Sequence, residues 1–172
     1  MILLKEIKTT HEHYAFMENL LQTAFPIQER RDSEQQRQNT DDNPLFHNML
    51  ITKDDTPIGL LTYWDFNTFV YIEHFAIDSR LRNGGYGGRI LEKFRQQVAS
   101  PIVLEAEEPS DELTRRRIGF YQRHGFFLQD FAYQQPPYRQ GDEWFPMRLM
   151  CSGSMDLISA RDTIYREVYA RP

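Results

Sequence analysis

The sequence predicts a mixed α/β fold, in which an antiparallel meander is followed by a β-α-β-α half and helices cover both faces of the sheet. Strand-like and helical patterns alternate along the chain, three strand-like runs follow one another without a helix between them, and strands and helices then alternate again. The 172 residues are 40% hydrophobic and 13% aromatic, which is typical of a folded protein with a sizeable core. We therefore expect a single domain over residues 1–172.

The N-terminal quarter of the chain contains a strand, a helix and a polar stretch. Met1 to Lys8 is a strand-like run, and His11 to Phe25 has apolar side chains at helical spacing. Gln28 to Pro44 is nearly free of apolar residues. This polar segment is compatible with a solvated helix or a mobile loop, and alternatively with a lid over a site.

The remaining elements give the predicted order β-α-(α)-β-β-β-α-β-α-β-β-α. The meander consists of the runs LFHNMLIT, PIGLLTYWDF and FVYIEHFAI, and KDDTP supplies the first hairpin turn. The helices are predicted at 85–98, at 113–124 with Gly125 ending it, and at 155–169 with Ser154 as N-cap. The last strands are PIVLEA, FFLQDFAY and EWFPMRLMC.

Charge and cysteine content exclude several classes of protein. A formal net charge of −5 disfavours a nucleic-acid partner, because proteins that bind phosphate backbones are usually basic. A single cysteine, Cys151, excludes an intrachain disulfide, and no histidine or cysteine cluster has zinc spacing, so no metal is expected. No apolar run approaches about 18 residues, and MILLKEIK is too short and too soon charged for a signal peptide. We expect a soluble, cytoplasmic monomer or homodimer without a membrane partner.

The stretch RLRNGGYGG at residues 80–88 holds four of the nine glycines and is the main candidate for an anion site. A P-loop is excluded, because Arg89 and Ile90 stand where lysine and serine or threonine are needed. A dinucleotide fingerprint would use Gly85 and Gly87, but Ile90 occupies the position of its third small residue. An acyl-coenzyme A pyrophosphate loop and a plain glycine-rich turn remain.

The segment from Arg82 to Gly87 spells [QR]-x-x-G-x-[GA], and here the sequence resembles the GNAT superfamily of acetyltransferases. The resemblance includes IEHFAI, PIVLEA and FYQRHGF and covers roughly residues 56–133. It implies a GNAT-like acyl-CoA N-acyltransferase fold, with an acetyl-CoA-binding core at about 56–133 and a C-terminal strand and helix within 144–169. It also implies an N-acetyltransferase that moves acetyl from acetyl-CoA to a primary amine of a small molecule or peptide. The alternative is a non-catalytic acyl-CoA-binding regulatory module on the same fold.

The resemblance also implies which residues hold the coenzyme. Backbone groups of Phe75, Ala76 and Ile77 would pair with the pantetheine arm like an added strand. The pyrophosphate would lie against Arg82, Asn83, Gly84, Gly85, Tyr86, Gly87 and Gly88. The physics agrees, because glycines let amides converge on an anion and a helix N-terminus adds free N–H groups. Arg80 would add a further positive charge.

The predicted chemistry needs an acid for the departing thiolate and a base for the amine. By the resemblance, Tyr121 is the acid. Glu73 lies mid-strand among apolar neighbours, where burial is expected to raise its pKa and make it a base. Glu105 and Glu107 are the other candidate bases. Thr114 stands where many relatives have asparagine, which puts a base on the strand of Glu105 in doubt.

Structural roles are open alternatives for the same residues. Tyr121 could only pack its ring against the sheet, and Glu73 could be the partner of an arginine. His74 and His124 are expected to be structural.

Overall fold

The computed structural model describes residues 1–172. The helices are α1 (Tyr14–Ala24), α2 (Ser33–Asp42), α3 (Tyr86–Gln97), α4 (Glu112–Arg123) and α5 (Leu157–Glu167). The strands are β1 (Ile2–Glu6), β2 (Phe46–Lys53), β3 (Thr56–Asp65), β4 (Val70–Ile77), β5 (Ile102–Glu107), β6 (Phe127–Leu128), β7 (Tyr133–Gln135) and β8 (Phe145–Cys151). Two short 3₁₀ turns cover Ile27–Glu29 and Ser79–Leu81. No helix is long and apolar enough to span a bilayer.

All eight strands form one mixed sheet in the order β1-β2-β3-β4-β5-β8-β6, and β7 also pairs with β8. Only β4 and β5 are parallel, and α3 is the crossover that such a pair requires. Their pairing covers three residues of each strand, from Val70 with Ile102 to Ile72 with Leu104. Beyond that point the two strands separate, which opens the sheet at its centre and leaves one edge of β4 unpaired.

A β-bulge in β4 lies where the two strands separate. Tyr63 pairs with Ile72, but the preceding residue of β3, Thr62, pairs with His74, so Glu73 is an extra residue in β4. A bulge breaks the alternation of side chains between the two faces. The strict alternation expected from the sequence therefore fails at this position, and Glu73 and His74 both contact residues on one side of the sheet.

Helices cover both faces of the sheet, as the sequence predicts. One apolar cluster packs α3 and α4 on the sheet through residues such as Ile90, Phe94 and Ile118. Two clusters on the opposite face pack α1 and α5, with Leu20 and Ile164 among their buried members. The mixed α/β prediction is thus confirmed.

The polar segment and two element boundaries differ in detail from the expectation. The polar segment contains α2, capped by the Asp32 side chain, and its Gln36 and Thr40 are buried, so it is not simply a solvated helix. Helix α5 is capped by Asp156 and not by Ser154, because the Asp156 carboxylate accepts from two first-turn amides. The run FFLQDFAY contains β6 and the first residue of β7, since both short strands pair in succession with β8. Gly125 follows α4 with φ of 84°, as expected for a C-terminal glycine.

Candidate active site

A cavity of about 620 Å³ occupies the opening between β4 and β5. All of the predicted coenzyme-binding residues line it except Gly84. It is also lined by the four candidate catalytic residues, Tyr121, Glu73, Glu105 and Glu107. The topology therefore gathers residues from β4, β5, α4 and the glycine loop around one space.

The free edge of β4 forms one wall of the cavity. Beyond Ile72, β4 pairs only with β3. The Glu73 side chain is fully buried although the residue is partly exposed, so the exposed part is its backbone. The backbone groups from Phe75 to Ile77 on this edge are available to an extended ligand, in the way that a peptide adds to a sheet.

The glycine loop joins this edge to the N-terminus of α3. Asn83 and Gly85 have φ of 68° and 70°, and Gly85 is the N-cap of α3. A Cβ atom on Gly85 would meet no atom within 4 Å, so the space beside it is open. The first amides of α3 have no partner within the helix and carry its positive dipole end. An anion could accept hydrogen bonds from these free amides.

Two further glycines let α3 lie close to α4. A Cβ on Gly87 would come within 3.3 Å of the Phe120 ring. A Cβ on Gly88 would come within 2.5 Å of the His124 imidazole, which is too close for any real contact. Gly88 thus has no room for a Cβ unless His124 moves, and Gly87 allows close packing of α3 on α4.

The arginines near the loop differ from the expectation. Arg80 is bound by Asp78, with Nη2 at 2.6 Å from Oδ2, and it does not line the cavity. Arg82 does line it and has no carboxylate within 4 Å. Arg116 and Arg117 on α4 also line the cavity, and sequence reasoning did not assign them.

Tyr121 lies in the last turns of α4 with its ring edge-on to Phe120 and Phe126. Burial raises the pKa of Tyr121 to about 12, so the phenol is neutral at pH 7. Its ring contacts are the packing role that the sequence left open. The ring packs while the residue borders the cavity, so packing and proton donation are compatible.

Thr114 has a structural task at the start of α4. Its amide donates to Asp111 Oδ1 at 2.8 Å, and the Asp111 amide donates to Thr114 Oγ1 at 3.1 Å. This reciprocal arrangement is a capping box. The residue that replaces the familial asparagine therefore secures the helix that carries Tyr121.

Glu73 is the partner of a buried arginine from the polar segment. Arg31 binds both carboxylate oxygens of Glu73, with Nη1 at 3.0 Å from Oε2. Trp64 Nε1 and the Tyr138 hydroxyl donate to the same carboxylate at 3.0 and 2.9 Å. Burial opposes both charges, but their mutual attraction outweighs it, so the pKa of Glu73 is lowered and that of Arg31 is raised. The expected rise in the pKa of Glu73 is wrong in direction.

Arg31 lies in a cage of aromatic rings. Its guanidinium carbon is 5.7, 5.8 and 5.3 Å from the ring centres of Phe46, Trp64 and Tyr138. Nη1 also donates to Gln36 Oε1 at 2.7 Å. Arg31 is thus a buried, charged anchor of the polar segment, and no local pattern in the sequence identifies it.

His74 has a structural environment, as expected. Its Nε2 is 2.7 Å from the carbonyl oxygen of Glu29, so this nitrogen carries the proton and donates. Nδ1 lies 3.4 Å from Thr62 Oγ1. Burial lowers the pKa of His74, which keeps the ring neutral. The imidazole fixes the turn that carries Glu29. His124 ends α4 and packs its ring against Phe120 at a centroid distance of 4.8 Å.

Glu105 is the first residue of β5 beyond the pairing with β4, and tyrosine hydroxyls bind its carboxylate. The Tyr133 hydroxyl donates to Oε1 at 2.6 Å, and the Tyr169 hydroxyl is 3.0 Å from both carboxylate oxygens. The Tyr169 hydroxyl accepts from Gln135 Nε2 at 2.9 Å and lies 3.2 Å from the Tyr71 hydroxyl. We call Glu105 and its partners Tyr71, Tyr133, Gln135 and Tyr169 the tyrosine network.

Burial dominates the titration of Glu105. It raises the pKa of Glu105 to about 7, and the tyrosine hydroxyls only partly offset this rise by stabilising the charged form. A carboxyl group that titrates near neutral pH is suited to accept a proton. The geometry thus gives Glu105 the property that the sequence assigned to Glu73.

The tyrosine network was missed at the level of sequence. Tyr71 lies in β4, Tyr133 lies in β7, and Tyr169 follows the end of α5. These tyrosines are far apart in the chain, so no local sequence pattern connects them. The only signal was the number of tyrosines, nine in all, which does not say which of them meet.

Comparisons with known proteins agree with this architecture. The Acetyltransferase (GNAT) family model matches residues 14–126. The protein named Putative acetyltransferase YjbC from Bacillus subtilis (strain 168) is 29% identical over 86 residues, which are 48% of this chain and 44% of that protein. The match thus spans less than half of the length of this curated relative.

Solved structures include similar chains. One is named Putative acetyltransferase from GNAT family from Bacteroides thetaiotaomicron, with a TM-score of 0.96, 47% identity and coverage of 99% of both chains. Another is Arabidopsis thaliana Naa50 in complex with the bisubstrate analogue CoA-Ac-MVNAL, with a TM-score of 0.64, 16% identity and coverage of 89% of this chain and 99% of that one. The second similarity concerns the fold alone.

Proposed function

The chain belongs to the GNAT acetyltransferase family, and on that premise we propose that it transfers the acetyl group of acetyl-CoA to a primary amine. The observation that carries the proposal is the cavity between β4 and β5. A free strand edge, an anion-binding loop, a neutral phenol and a carboxyl group that titrates near pH 7 all border this space.

The coenzyme is proposed to lie along the free edge of β4. The pantetheine arm would pair with the backbone from Phe75 to Ile77, and the pyrophosphate would lie on the loop from Arg82 to Gly88. The name of the Naa50 structure includes a CoA-containing analogue, which supports a coenzyme site in this fold. Arg82 lines the cavity within this loop and adds positive charge.

Glu105 is proposed as the base and Tyr121 as the acid. The Glu105 carboxylate takes a proton from the ammonium group of the amine, and the neutral nitrogen then attacks the thioester carbonyl carbon. The new C–N bond forms, the C–S bond breaks, and the Tyr121 hydroxyl gives its proton to the departing sulfur. Solvent then returns a proton to Tyr121 and takes one from Glu105 and one from the new amide nitrogen, so the products are a neutral amide and free coenzyme A.

Glu73 has no proton-transfer role in this proposal. Its carboxylate is ionised and satisfied by Arg31, Trp64 and Tyr138. Removing a proton from the amine would require it to give up a buried ion pair, which is unfavourable. Glu107 is bound to Arg117 at 3.0 Å and is also a weaker candidate than Glu105.

We further propose that residues 1–172 work as one functional domain. The coenzyme-binding core is at about 56–133, and the C-terminal strand and helix within 144–169 complete the acceptor side. Tyr169 supports this arrangement, because its hydroxyl reaches Glu105 in the core.

The test is release of thiol from acetyl-CoA in the presence of a panel of amines, with the variant Tyr121→Phe beside the parent. Loss of the hydroxyl should lower kcat by about 10²–10⁴, the usual contribution of a positioned acid, with little change in acetyl-CoA affinity. Tyr165→Phe is the matched control, since the Tyr165 hydroxyl binds a backbone carbonyl at the exposed surface.

A near-normal rate of Tyr121→Phe would show that the phenol only packs. Binding of acetyl-CoA without thiol release for any amine would favour the non-catalytic acyl-CoA-binding module. Acetyl-CoA should also raise the melting temperature where NAD and ATP do not, because a ligand stabilises a protein only if it binds the folded state.

A further inference from the structure

The end of the cavity away from the glycine loop can be described separately from the coenzyme site. We define it as the acceptor arm, and its lining residues are Phe25, Glu29, Glu105, Gln135, Tyr138 and Met147. Sequence reasoning left the acceptor open between a small molecule and a peptide. The charges and walls of the acceptor arm narrow that choice.

Two carboxyl groups of the acceptor arm have no cationic partner. Glu29 and Glu105 have no basic nitrogen within 4 Å. The arginines nearby are already used, because Arg31 binds Glu73 and Arg117 binds Glu107. Burial, and after it the charge of Glu107, raises the pKa of Glu29, and the opposing effect of Arg117 is smaller. A positive charge is therefore the missing partner of this surface.

Aromatic rings add to the attraction for a cation. Phe25, Tyr71 and Tyr138 line the same cavity as Glu105. Ring faces attract ammonium groups, and more strongly where water is excluded. The same preference is visible inside the protein, where Tyr138 also contacts the Arg31 guanidinium.

The two walls of the acceptor arm are tied to each other. Arg139 Nη1 donates to the carbonyl oxygens of Ile27 and Arg30 at 2.6 and 3.1 Å. This joins the turn that carries Glu29 to the loop that carries Tyr138. His74 also binds the carbonyl oxygen of Glu29 in this turn, and in the loop the Tyr138 hydroxyl donates to Glu73. The acceptor arm is thus bounded by a fixed clamp and not by two separate loops.

We infer that the acceptor is a small amine that is cationic and carries no carboxylate next to its amino group. The inference rests on the proposed function, because it treats this arm as the place where the amine lies. An α-amino acid would bring its carboxylate toward Glu29 and Glu105, where the nearby Arg31 and Arg117 are already bound by Glu73 and Glu107. A polypeptide would have to fit between two walls that Arg139 holds together.

The experiment measures binding before turnover. Calorimetric titrations use the protein saturated with coenzyme A, and the probes are cadaverine against L-lysine and tyramine against L-tyrosine, which differ within each pair only by the carboxylate. A pentapeptide amide with one lysine is the fifth probe. We expect each amine to bind about tenfold or more tightly than its amino acid, since like charges at short range in a partly buried site repel. The peptide should bind weakly.

Thiol release with the same probes separates this inference from the proposed function. Tight amine binding without turnover would contradict the acetyltransferase proposal and leave the acceptor class standing. Equal binding of amine and amino acid, tight binding of the peptide, or no binding of either amine would overturn the acceptor class.

A variant tests the role of charge in the acceptor arm. Glu29→Gln should weaken cadaverine binding several-fold, because it removes a carboxylate at the mouth. Glu34→Gln removes the same charge from an exposed position in the first turn of α2, outside the cavity, and should change nothing. Equal affinities for the two variants would mean that the mouth carboxylate does not contact the amine.

Discussion

Tyr169 should set the pH at which the site works. Its hydroxyl is 3.0 Å from both oxygens of Glu105, so it stabilises the charged carboxylate over the neutral acid. The variant Tyr169→Phe removes this donor and keeps the ring. Tyr133 still donates to Oε1 at 2.6 Å, so Glu105 is not left without a partner.

The size of the effect follows from the hydrogen bond that is lost. A hydrogen bond to a charged group contributes about 1.5–3 kcal/mol, and 1.36 kcal/mol corresponds to one pKa unit, so the pKa of Glu105 should rise by at least about one unit. It would move from about 7 to roughly 8. The ionised fraction at pH 6.5 would fall about eightfold, and at pH 9.5 it would hardly change.

The assay is kcat/KM for one amine across this pH range, for Tyr169→Phe, the parent and Tyr165→Phe. The ratio of variant to parent cancels the ionisation of the amine itself, which is the same in every assay. We expect a ratio that falls toward low pH for Tyr169→Phe and a flat ratio near one for Tyr165→Phe, whose hydroxyl binds the carbonyl of Gln134.

A loss that is equal at every pH would refute the reasoning, because it would mean that Tyr169 holds the fold and does not tune Glu105. A full rate for Glu105→Gln would refute it at an earlier step, by removing Glu105 from the mechanism. Thermal unfolding of each variant shows whether the protein is intact, since the Tyr169 hydroxyl also accepts from Gln135.

Three other outcomes are expected. Glu73→Gln should lower the free energy of unfolding by about 3–5 kcal/mol, because it leaves Arg31 buried without its partner. In a denaturant titration, the double variant Arg31→Met/Glu73→Leu should recover much of that loss. An unchanged free energy of unfolding in Glu73→Gln would contradict the ion pair. Burial lifts the pKa of Glu105 from 4.5 to about 7, so the neutral form stabilises the fold at low pH and this contribution disappears as pH rises through that window. The parent should therefore lose more stability than Glu105→Gln between those pH values, and parallel curves would speak against a buried carboxyl group. Gly85→Val should lower the free energy of acetyl-CoA binding, measured by calorimetry, by more than it lowers the free energy of unfolding. Unchanged affinity in a folded variant would show that the open space beside the loop is not the pyrophosphate site.

Local features of the chain were predictable from sequence. The glycine loop, α3 and the end of α4 at Gly125 depend on the backbone conformation of a few adjacent residues. The types of those residues, glycine above all, determine which conformations are allowed, so these features can be predicted from sequence. The meander followed from strand runs separated by short turns. These elements position the part of the cavity beside the glycine loop.

The acceptor side was not predictable, because its contacts join distant parts of the chain. Arg31 lies in a segment that looks fully solvated, and only the folded structure brings it to Glu73. Burial alone predicted a raised pKa for Glu73, and the unseen arginine reversed its direction. Glu105 could be named as a candidate, but the tyrosines that hold it are separate in sequence and meet only through the sheet.

The bulge at Glu73 has an implication for insertions and deletions in this chain. The extra residue, and not its side chain, shifts the facing of everything that follows in β4, since a change of one residue exchanges the two faces of a strand. A substitution at this position leaves the residue count intact and should leave the cleft open. Deletion of Glu73 would remove the bulge and restore regular alternation along β4, so the side chains that follow it would exchange faces. Substitutions around Glu73 are therefore compatible with the present facing of β4, whereas a change in the length of this strand is not.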